Sequence, residues 1–128
     1  MTILLDTNVL LWAAIGDDRL GGKAVELLCE PSNELFFSVA SLWEIVIKSR
    51  LGRNDFRVDP GNLRKQLAGN GYSELAISCS HVLAVSELPP IHKDPFDRIL
   101  IAQARVEGFS LLSSDPIVVS YPGSIVKI

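Results

Sequence analysis

The sequence predicts an α/β fold of three layers (α/β/α), in which helices cover both faces of a central parallel β-sheet. Short, fully apolar runs alternate along the chain with longer segments of helical apolar spacing. Strands that are apolar throughout are typical of a parallel sheet that is buried on both faces. Because 128 residues suffice for one ordinary domain and leave no room for a second, we expect residues 1–128 to form a single domain.

The individual elements follow from the apolar spacing and from the turn residues between them. The predicted strands are Ile3–Leu5, Leu35–Phe37, Leu75–Ile77, Ser110–Ser113 and Ile125–Lys127. The predicted helices are Thr7–Ala14, Gly21–Cys29, Ser41–Leu51, Pro60–Ala68, His81–Glu87 and Pro95–Glu107. Apolar residues cover most of the circumference of Ser41–Leu51 and of Pro95–Glu107, which predicts that both helices are largely buried. Gly108 is expected to end the last helix.

Charge and cysteine content limit the class of protein. The net charge of −3 gives no indication of a broad basic surface for nucleic acid, so we expect any nucleic-acid binding to rely on a metal ion and local basic groups. Cys29 and Cys79 belong to no metal-spaced pair and predict buried thiols in a reducing compartment. The opening Met1–Asp6 lacks a basic leader, and no apolar run approaches the ~20 residues that a membrane span needs. We therefore expect a cytoplasmic protein.

Four acidic residues fall where the chain should reach one edge of the sheet. Asp6 and Asp115 follow the first and fourth predicted strands, and Glu44 lies in the first turn of the helix after the second strand. Asp97 lies in the first turn of the long helix that runs antiparallel to the fourth strand. Ligands of open parallel sheets bind beyond the carboxyl ends of the strands. Four carboxylates gathered there would repel one another unless a cation were bound, and hard oxygen ligands without histidine or cysteine favour Mg²⁺ or Mn²⁺ over zinc.

Each acid also has a local alternative as a helix-capping residue. Ser41-Leu42-Trp43-Glu44 matches a capping box. Asp94-Pro95 and Asp115-Pro116 match an N-cap followed by proline, which would make Asp97 a favourable first-turn acid. Asp6 is placed to cap the helix that starts near Thr7. The joint placement of all four acids, rather than any one of them, favours a metal site.

At these same residues the chain resembles the PIN-domain ribonucleases of the VapC type, the toxin halves of toxin–antitoxin pairs. The resemblance is carried by four segments in family order, which are Leu5-Asp6-Thr7-Asn8-Val9-Leu10-Leu11-Trp12, Ser38-Val39-Ala40-Ser41-Leu42-Trp43-Glu44-Ile45 with Lys48, Leu51 and Gly52 downstream, His92-Lys93-Asp94-Pro95-Phe96-Asp97-Arg98-Ile99-Leu100-Ile101-Ala102-Gln103-Ala104, and Leu111-Leu112-Ser113-Ser114-Asp115. Any one of these segments would be weak evidence for the resemblance. All four together are strong evidence, because they span nearly the whole chain.

The resemblance implies a PIN-like fold and a metal-dependent endoribonuclease that hydrolyses RNA phosphodiester bonds. It implies that the catalytic and metal-binding acids are Asp6, Glu44, Asp97 and Asp115, with Asp97 and not Asp94 taken from the third segment. It further implies an RNA substrate, a homodimer and a cognate antitoxin protein that covers the active site. Mg²⁺ or Mn²⁺ is the expected cofactor. RNA target, cleavage position and number of metal ions stay open at this point.

Other polar residues have weaker predicted roles. Asn8, Ser113 and Arg98 are candidates for hydrogen bonds to a metal-binding carboxylate or to an RNA phosphate, and for Arg98 a structural ion pair is the alternative. The candidates for contacts to the RNA backbone are Lys48, Arg50, Arg53 and Lys93, and the alternative for them is a scattered solvated face. The two histidines, His81 and His92, are poor catalytic candidates, with a turn role expected for His92. Trp12 and Trp43 are expected in the core or in a subunit contact rather than as base-stacking platforms.

Four other functional classes fit the sequence less well. A receiver-type phosphoacceptor domain has a similar size and an acidic Mg²⁺ pocket, but it requires adjacent acids after the first strand, where Thr7 follows Asp6. A haloacid-type phosphatase requires a second aspartate where Asn8 stands, and a DNA flap nuclease carries more acids and longer insertions. The remaining alternative is a non-catalytic interaction module, which the intact set of acids disfavours.

Overall fold

The computed structural model describes residues 1–52 and 58–128, and it contains a five-stranded parallel sheet with helices on both faces. The strands are β1 (Thr2–Leu5), β2 (Glu34–Ser38), β3 (Ser73–Leu75), β4 (Ser110–Ser113) and β5 (Ile125–Lys127). The helices are α1 (Thr7–Ile15), α2 (Gly21–Cys29), α3 (Val39–Arg50), α4 (Pro60–Gly69), α5 (Cys79–Val85), α6 (Pro95–Glu107) and α7 (Pro116–Val119). A 3₁₀ turn at Asp18–Leu20, which was not predicted, precedes α2.

The strand order of the sheet is β3-β2-β1-β4-β5, and every neighbouring pair is parallel. From the central β1 the chain builds outward through β2 and β3, and it then crosses to the other side of β1 to add β4 and β5. The direction of the connections therefore reverses between β1 and β4. In open α/β sheets the crevice beyond the carboxyl ends of the strands at such a point is where ligands bind.

Alternate side chains of the central strands point to opposite faces and form two separate cores. Ile3 and Leu5 of β1 pack with Leu112 of β4 against α1, α2 and α4. Leu4 of β1 and Leu111 of β4 pack on the other face, against α6 and α7. Because both faces of the sheet are covered by helices, the predicted three-layer α/β/α architecture is confirmed.

Helix α3 begins earlier than predicted, and this changes the position of Glu44. The N-cap is Ser38, whose Oγ accepts a hydrogen bond from the backbone N–H of Ala40 at 3.0 Å. Ser41 lies inside the helix, where its Oγ accepts a hydrogen bond from Thr7 Oγ1 at 2.9 Å. The predicted capping box of Ser41 and Glu44 is therefore wrong, and Glu44 lies in the second turn of α3 rather than in the first.

Several predictions of burial are wrong. Both cysteines, Cys29 and Cys79, are exposed. Helix α3 is only half-buried, since Trp43 is 58% exposed and Val46 and Ile47 also face outward. Counting apolar residues around the helix overestimated its burial, because only Ala40, Ser41, Glu44 and Ile45 are buried and Leu42 is partly buried against the first core. Within residues 1–52 and 58–128, no helix combines the length and apolar character that crossing a bilayer requires.

Candidate metal centre

Asp6 follows β1 directly and is buried, with 5% of its surface accessible. It occupies the N-cap position of α1, but its side chain makes no capping hydrogen bond. Its Oδ2 instead accepts a hydrogen bond from Ser113 Oγ, at the end of β4, at 2.6 Å. The capping alternative therefore does not account for the Asp6 carboxylate, which lies at the β1–β4 crevice.

Glu44 reaches the same crevice from α3. Two buried hydrogen bonds fix this helix, one from Thr7 Oγ1 to Ser41 Oγ and one from Ser38 Oγ to Gln103 Oε1 of α6 at 2.6 Å. Glu44 is 4% exposed, and its Oε2 accepts a hydrogen bond from Lys48 Nζ at 2.5 Å. Its Oε1 is buried and has no hydrogen-bond partner among the described residues.

Asp97 lies in the first turn of α6, where Asp94 is the residue that caps the helix. Asp94 Oδ1 accepts a hydrogen bond from the backbone N–H of Phe96 at 2.9 Å. Asp97 Oδ2 lies 2.8 Å from Nε2 of His92, which precedes the helix. The two acids of this segment therefore have separate structural roles, and only Asp97 directs its carboxylate toward the crevice residue His92.

Asp115 combines a capping role with a place in the cluster. Its Oδ1 accepts a hydrogen bond from the backbone N–H of Ile117 at 2.8 Å, which confirms the predicted cap of α7. Its Oδ2 lies 3.4 Å from His92 Nε2. The backbone N–H of Asp115 donates to Ser113 Oγ at 3.1 Å, so that one serine hydroxyl contacts both Asp115 and Asp6.

Two of the acids have raised pKa values, chiefly because they are buried and in part because the other acids are near. Burial raises the pKa of Asp6 to about 6, opposed by its hydrogen bond from Ser113, with Glu44 and Asp115 adding to the rise. Burial raises the pKa of Asp97 to about 8, and the negative charges of Asp6, Asp94, Glu44 and Asp115 raise it further. A bound cation would reverse both effects, since it favours the ionised carboxylates.

The donor set fits a hard divalent cation. Asp97 and Asp115 each offer an oxygen that lies within 4.8 Å of the other and of His92 Nε2, and the unpartnered Glu44 Oε1 is an oxygen without a proton donor. His92 Nδ1 accepts a hydrogen bond from the backbone N–H of Asp94 at 3.2 Å. The proton of a neutral His92 must then be on Nε2, which makes that nitrogen a donor rather than a metal ligand. The carboxylate oxygens are therefore the better candidate ligands, and oxygen donors of this kind suit magnesium or manganese better than zinc.

The remaining predicted residues lie at varying distances from these acids. Ser113 is fully buried between Asp6 and Asp115, whereas Asn8 is exposed in α1 and its side chain makes no hydrogen bond within the described parts of the chain. Arg50 and Lys93 are exposed, and Arg53 lies outside the described residues. Lys48 contacts Glu44 instead of presenting its charge on a solvated face.

Arg98 is committed to a loop and not to the acids. Its guanidinium donates to the carbonyls of Val85, Pro89 and His92 and to Tyr121 Oη, at 2.9 to 3.4 Å. Within residues 1–52 and 58–128 it makes no ion pair, so the predicted ion pair with a neighbouring carboxylate is wrong. Arg98 is next to Asp97 in the sequence, but successive residues of a helix point about 100° apart. Arg98 therefore faces the α5–α6 loop, whereas Asp97 faces the crevice.

Three contacts around the acids were underrated or missed in the sequence analysis. His92 makes the predicted turn contact through Nδ1, but its Nε2 also faces Asp97 and Asp115, where it is buried without a hydrogen bond of good geometry. Tyr121 Oη accepts a hydrogen bond from the backbone N–H of His92 at 2.6 Å and so holds this loop. The Glu44–Lys48 spacing of four residues was the one available signal for an ion pair on α3.

Trp43 and Phe96 flank the cluster with an apolar surface. Trp43 is too exposed to be a core residue, and its ring meets that of Phe96 edge to face at 5.1 Å. The two rings border a groove of about 430 Å³ with Val82 and Val85 of α5. Trp12, in contrast, packs partly buried against the first core, with Arg19 over its ring.

Replacing Ser113 with alanine is expected to lower the affinity of this candidate site for Mn²⁺ by roughly 10- to 100-fold, because it removes the hydrogen bond that orients Asp6 and favours its ionised form. The acceptor for the backbone N–H of Asp115 is also lost, at a cost of about 1 kcal/mol in unfolding free energy. Ser110→Ala is the matched control, since Ser110 lies at the other end of β4 and contacts Ser124. Isothermal titration with Mn²⁺ and urea unfolding of both variants test this, and similar Mn²⁺ affinities for the two variants would contradict it.

Comparison with known structures finds the same fold in toxin–antitoxin complexes. A chain in the crystal structure of VapBC2 from Rickettsia felis bound to a promoter DNA fragment is 14% identical, with a TM-score of 0.71 over 99% of this chain and 98% of that one. A toxin–antitoxin complex from Klebsiella pneumoniae contains a chain that is 18% identical, with a TM-score of 0.64 over 98% of this chain and 96% of that one. VapBC-1 from nontypeable Haemophilus influenzae contains one that is 17% identical, with a TM-score of 0.59 over 90% and 87% of the two chains.

At these low sequence identities, the similarities show a shared fold and nothing about function. Among curated protein sequences nothing matches this chain. The model of the PIN domain family, in contrast, matches residues 3–122, which include all four acids and the whole β1–β4 crevice. The chain belongs to the PIN domain family.

Proposed function

We propose that this protein is a divalent-metal-dependent endoribonuclease and the toxin component of a toxin–antitoxin pair. The observation that carries the proposal is the convergence of Asp6, Glu44, Asp97 and Asp115, from four separate segments, at the β1–β4 crevice of a PIN domain. Burying carboxylates so close together is costly without a cation, and raised pKa values mark such strained sites as functional.

Asp6, Asp97 and Glu44 Oε1 would hold Mg²⁺ or Mn²⁺, directly or through water, with Asp115 Oδ2 at the rim. When bound, the ion lowers the pKa of a water molecule and neutralises charge on the scissile phosphate. Ser113 keeps Asp6 oriented by its 2.6 Å hydrogen bond, and Asp115 is held by the cap of α7. His92 presents an Nε2–H beside Asp97 and Asp115, from which it would donate to a phosphate oxygen or to the departing oxygen.

RNA is the proposed substrate because the sequence segments resemble those of VapC-type ribonucleases. The net charge of the chain is consistent with a site that needs a metal ion to bind RNA phosphates. The chain has a net charge of −3, so neutralisation of the phosphates has to come from the metal and from the few basic groups near the crevice, such as the exposed Lys93.

The proposed protein partners are a cognate antitoxin and a second copy of this chain. Structural similarity to chains of three toxin–antitoxin complexes supports the first. The apolar surface beside the metal centre supports the second, since Trp43 and Val46 of α3 and Val82 and Leu83 of α5 are all at least 40% exposed. Exposed apolar patches of this kind mark protein interfaces. Sedimentation velocity would show a dimer, and Leu83→Ser together with Trp43→Ser would shift it to the monomer.

Incubation of the purified protein, free of any partner, with structured and single-stranded RNA tests the catalytic proposal. Parallel reactions contain Mg²⁺, Mn²⁺ or EDTA, and Asp6→Asn is run beside the wild type. We expect cleavage that requires the metal and disappears in the variant. If no RNA is cleaved and calorimetry detects no metal binding, the nuclease proposal is wrong and a non-catalytic interaction module becomes the better explanation.

A further inference from the structure

We propose that Lys48 is a positioning residue that orients the Glu44 carboxylate by binding its Oε2 and leaves Oε1 available to the divalent ion. Because its ammonium group is positively charged, Lys48 also competes with that ion for the negative charge of Glu44. This inference rests on the proposed function, because it concerns how the same acids bind their metal. It replaces the sequence-based prediction that Lys48 contacts the RNA backbone.

The geometry of the Lys48–Glu44 ion pair supports the positioning role. Lys48 Nζ lies 2.5 Å from Glu44 Oε2, and the side chains are 22% and 5% exposed. Surface pairs at this helical spacing contribute little because water screens them, but here the carboxylate has almost no contact with water. Lys48 therefore restricts the rotation of the carboxylate, and the orientation that it selects leaves Oε1 buried without a hydrogen bond.

The charges around Glu44 support the competing role of Lys48. Glu44 is close enough to the other acids that its charge raises the pKa values of both Asp6 and Asp97. Among residues 1–52 and 58–128, Lys48 is the only lysine or arginine that forms an ion pair with any of the four acids. Its ammonium therefore offsets part of the negative charge of the cluster before a metal ion binds.

An ammonium and a metal ion that neutralise the same carboxylate must oppose one another by thermodynamic linkage. Lys48→Met should therefore strengthen Mn²⁺ binding by about 5- to 10-fold, since the site becomes more negative by one charge. The same substitution should lower the cleavage rate at saturating Mn²⁺ by roughly 10-fold or more, because Glu44 is no longer held in one orientation. Tighter binding with slower turnover is a combination that loss of folding cannot produce.

Isothermal titration of the full chain with Mn²⁺ tests the inference, with wild type, Lys48→Met and two further variants. Arg50→Met is the matched control, because it removes the same charge from an exposed position of the same helix and should change Mn²⁺ affinity by less than about twofold. Lys48→Arg keeps the charge and should keep Mn²⁺ affinity near that of wild type. If Lys48→Met does not fold, Lys48→Gln replaces it in the titration.

The outcomes separate this inference from the proposed function. If the wild type binds no Mn²⁺, the proposed metal centre itself is wrong. If the wild type binds Mn²⁺ and Lys48→Met binds it with the same or lower affinity, the metal centre stands and the competing role of Lys48 is overturned. Affinity that rises equally in Lys48→Met and Arg50→Met would also overturn it, because the effect would then be one of general charge.

Discussion

Replacing Asp97 with asparagine is expected to lower RNA cleavage by about 1,000-fold or more while making the metal-free protein more stable. The rate falls because an amide cannot supply the negative oxygen that holds the cation. Stability rises because asparagine has neither to take up a proton nor to carry a charge at this buried, acidic position. Burial, followed by repulsion from Asp6, Asp94, Glu44 and Asp115, raises the pKa of Asp97 to about 8, and the wild type bears this cost at neutral pH. Since Asp97 is partly solvated, we expect a gain of roughly 1–2 kcal/mol in unfolding free energy at neutral pH in EDTA.

Asp94→Asn is the matched control, because Asp94 is an acid in the same segment of the chain. Asp94 caps α6 through Phe96 N–H, and asparagine caps helices about as well as aspartate, so the fold should be maintained. The variant loses the same charge one helical turn away and should retain activity within about tenfold of wild type. Single-turnover cleavage and urea unfolding measure both quantities. Equal losses of activity in the two variants, or a less stable metal-free Asp97→Asn, would contradict the assignment of Asp97 to the metal.

The metal-free protein is expected to lose stability as the pH rises from about 4 to about 8. The ordinary pKa of an aspartate, 3.8, applies to the unfolded chain, whereas the folded pKa values are about 6 for Asp6 and about 8 for Asp97. In this range the folded protein therefore holds more protons than the unfolded chain, and stability falls with pH by linkage. The Asp6 contribution is complete near pH 6 and the Asp97 contribution near pH 8, for a combined loss of about 1–3 kcal/mol.

Saturating Mg²⁺ should reverse this trend, because it binds the ionised carboxylates of the folded state alone. Urea unfolding between pH 4 and pH 8, with EDTA or with Mg²⁺, measures the effect. The double variant Asp6→Asn with Asp97→Asn removes both groups and serves as the reference for all other titrating residues. If wild type and double variant show the same pH dependence in EDTA, the two carboxylates do not carry the predicted repulsion.

Local signals explain which elements were predictable. The bounds of α6 were predicted correctly, because Asp94-Pro95 marks its start and Gly108, with a φ of 71°, ends it in the left-handed conformation. The start of α3 was not, because Ser38 and Ser41 are both plausible caps by residue type. Only the tertiary partner of Ser41, the hydroxyl of Thr7, shows that this serine lies inside the helix.

The sequence could predict that these acids lie at one edge of the sheet, but not which atoms they contact. Parallel strands bring their carboxyl ends to one edge, so the positions of Asp6 and Asp115 after β1 and β4 already indicate that they meet. Which oxygen of Asp115 caps α7 and which faces His92 depends on the loop that Arg98 and Tyr121 hold, and those contacts join residues 23 to 29 positions apart. The exposure of Cys29 and Cys79 likewise depends on packing, which residue type alone does not determine.

The central claim is that the four acids bind a divalent cation, and anomalous diffraction from crystals grown with Mn²⁺ tests it most directly. We predict an anomalous peak at the β1–β4 crevice, within coordination distance of carboxylate oxygens of Asp6 and Asp97 and absent from crystals of Asp97→Asn. A crevice without a peak at Mn²⁺ concentrations that support RNA cleavage, or a peak held by other residues, would contradict the account.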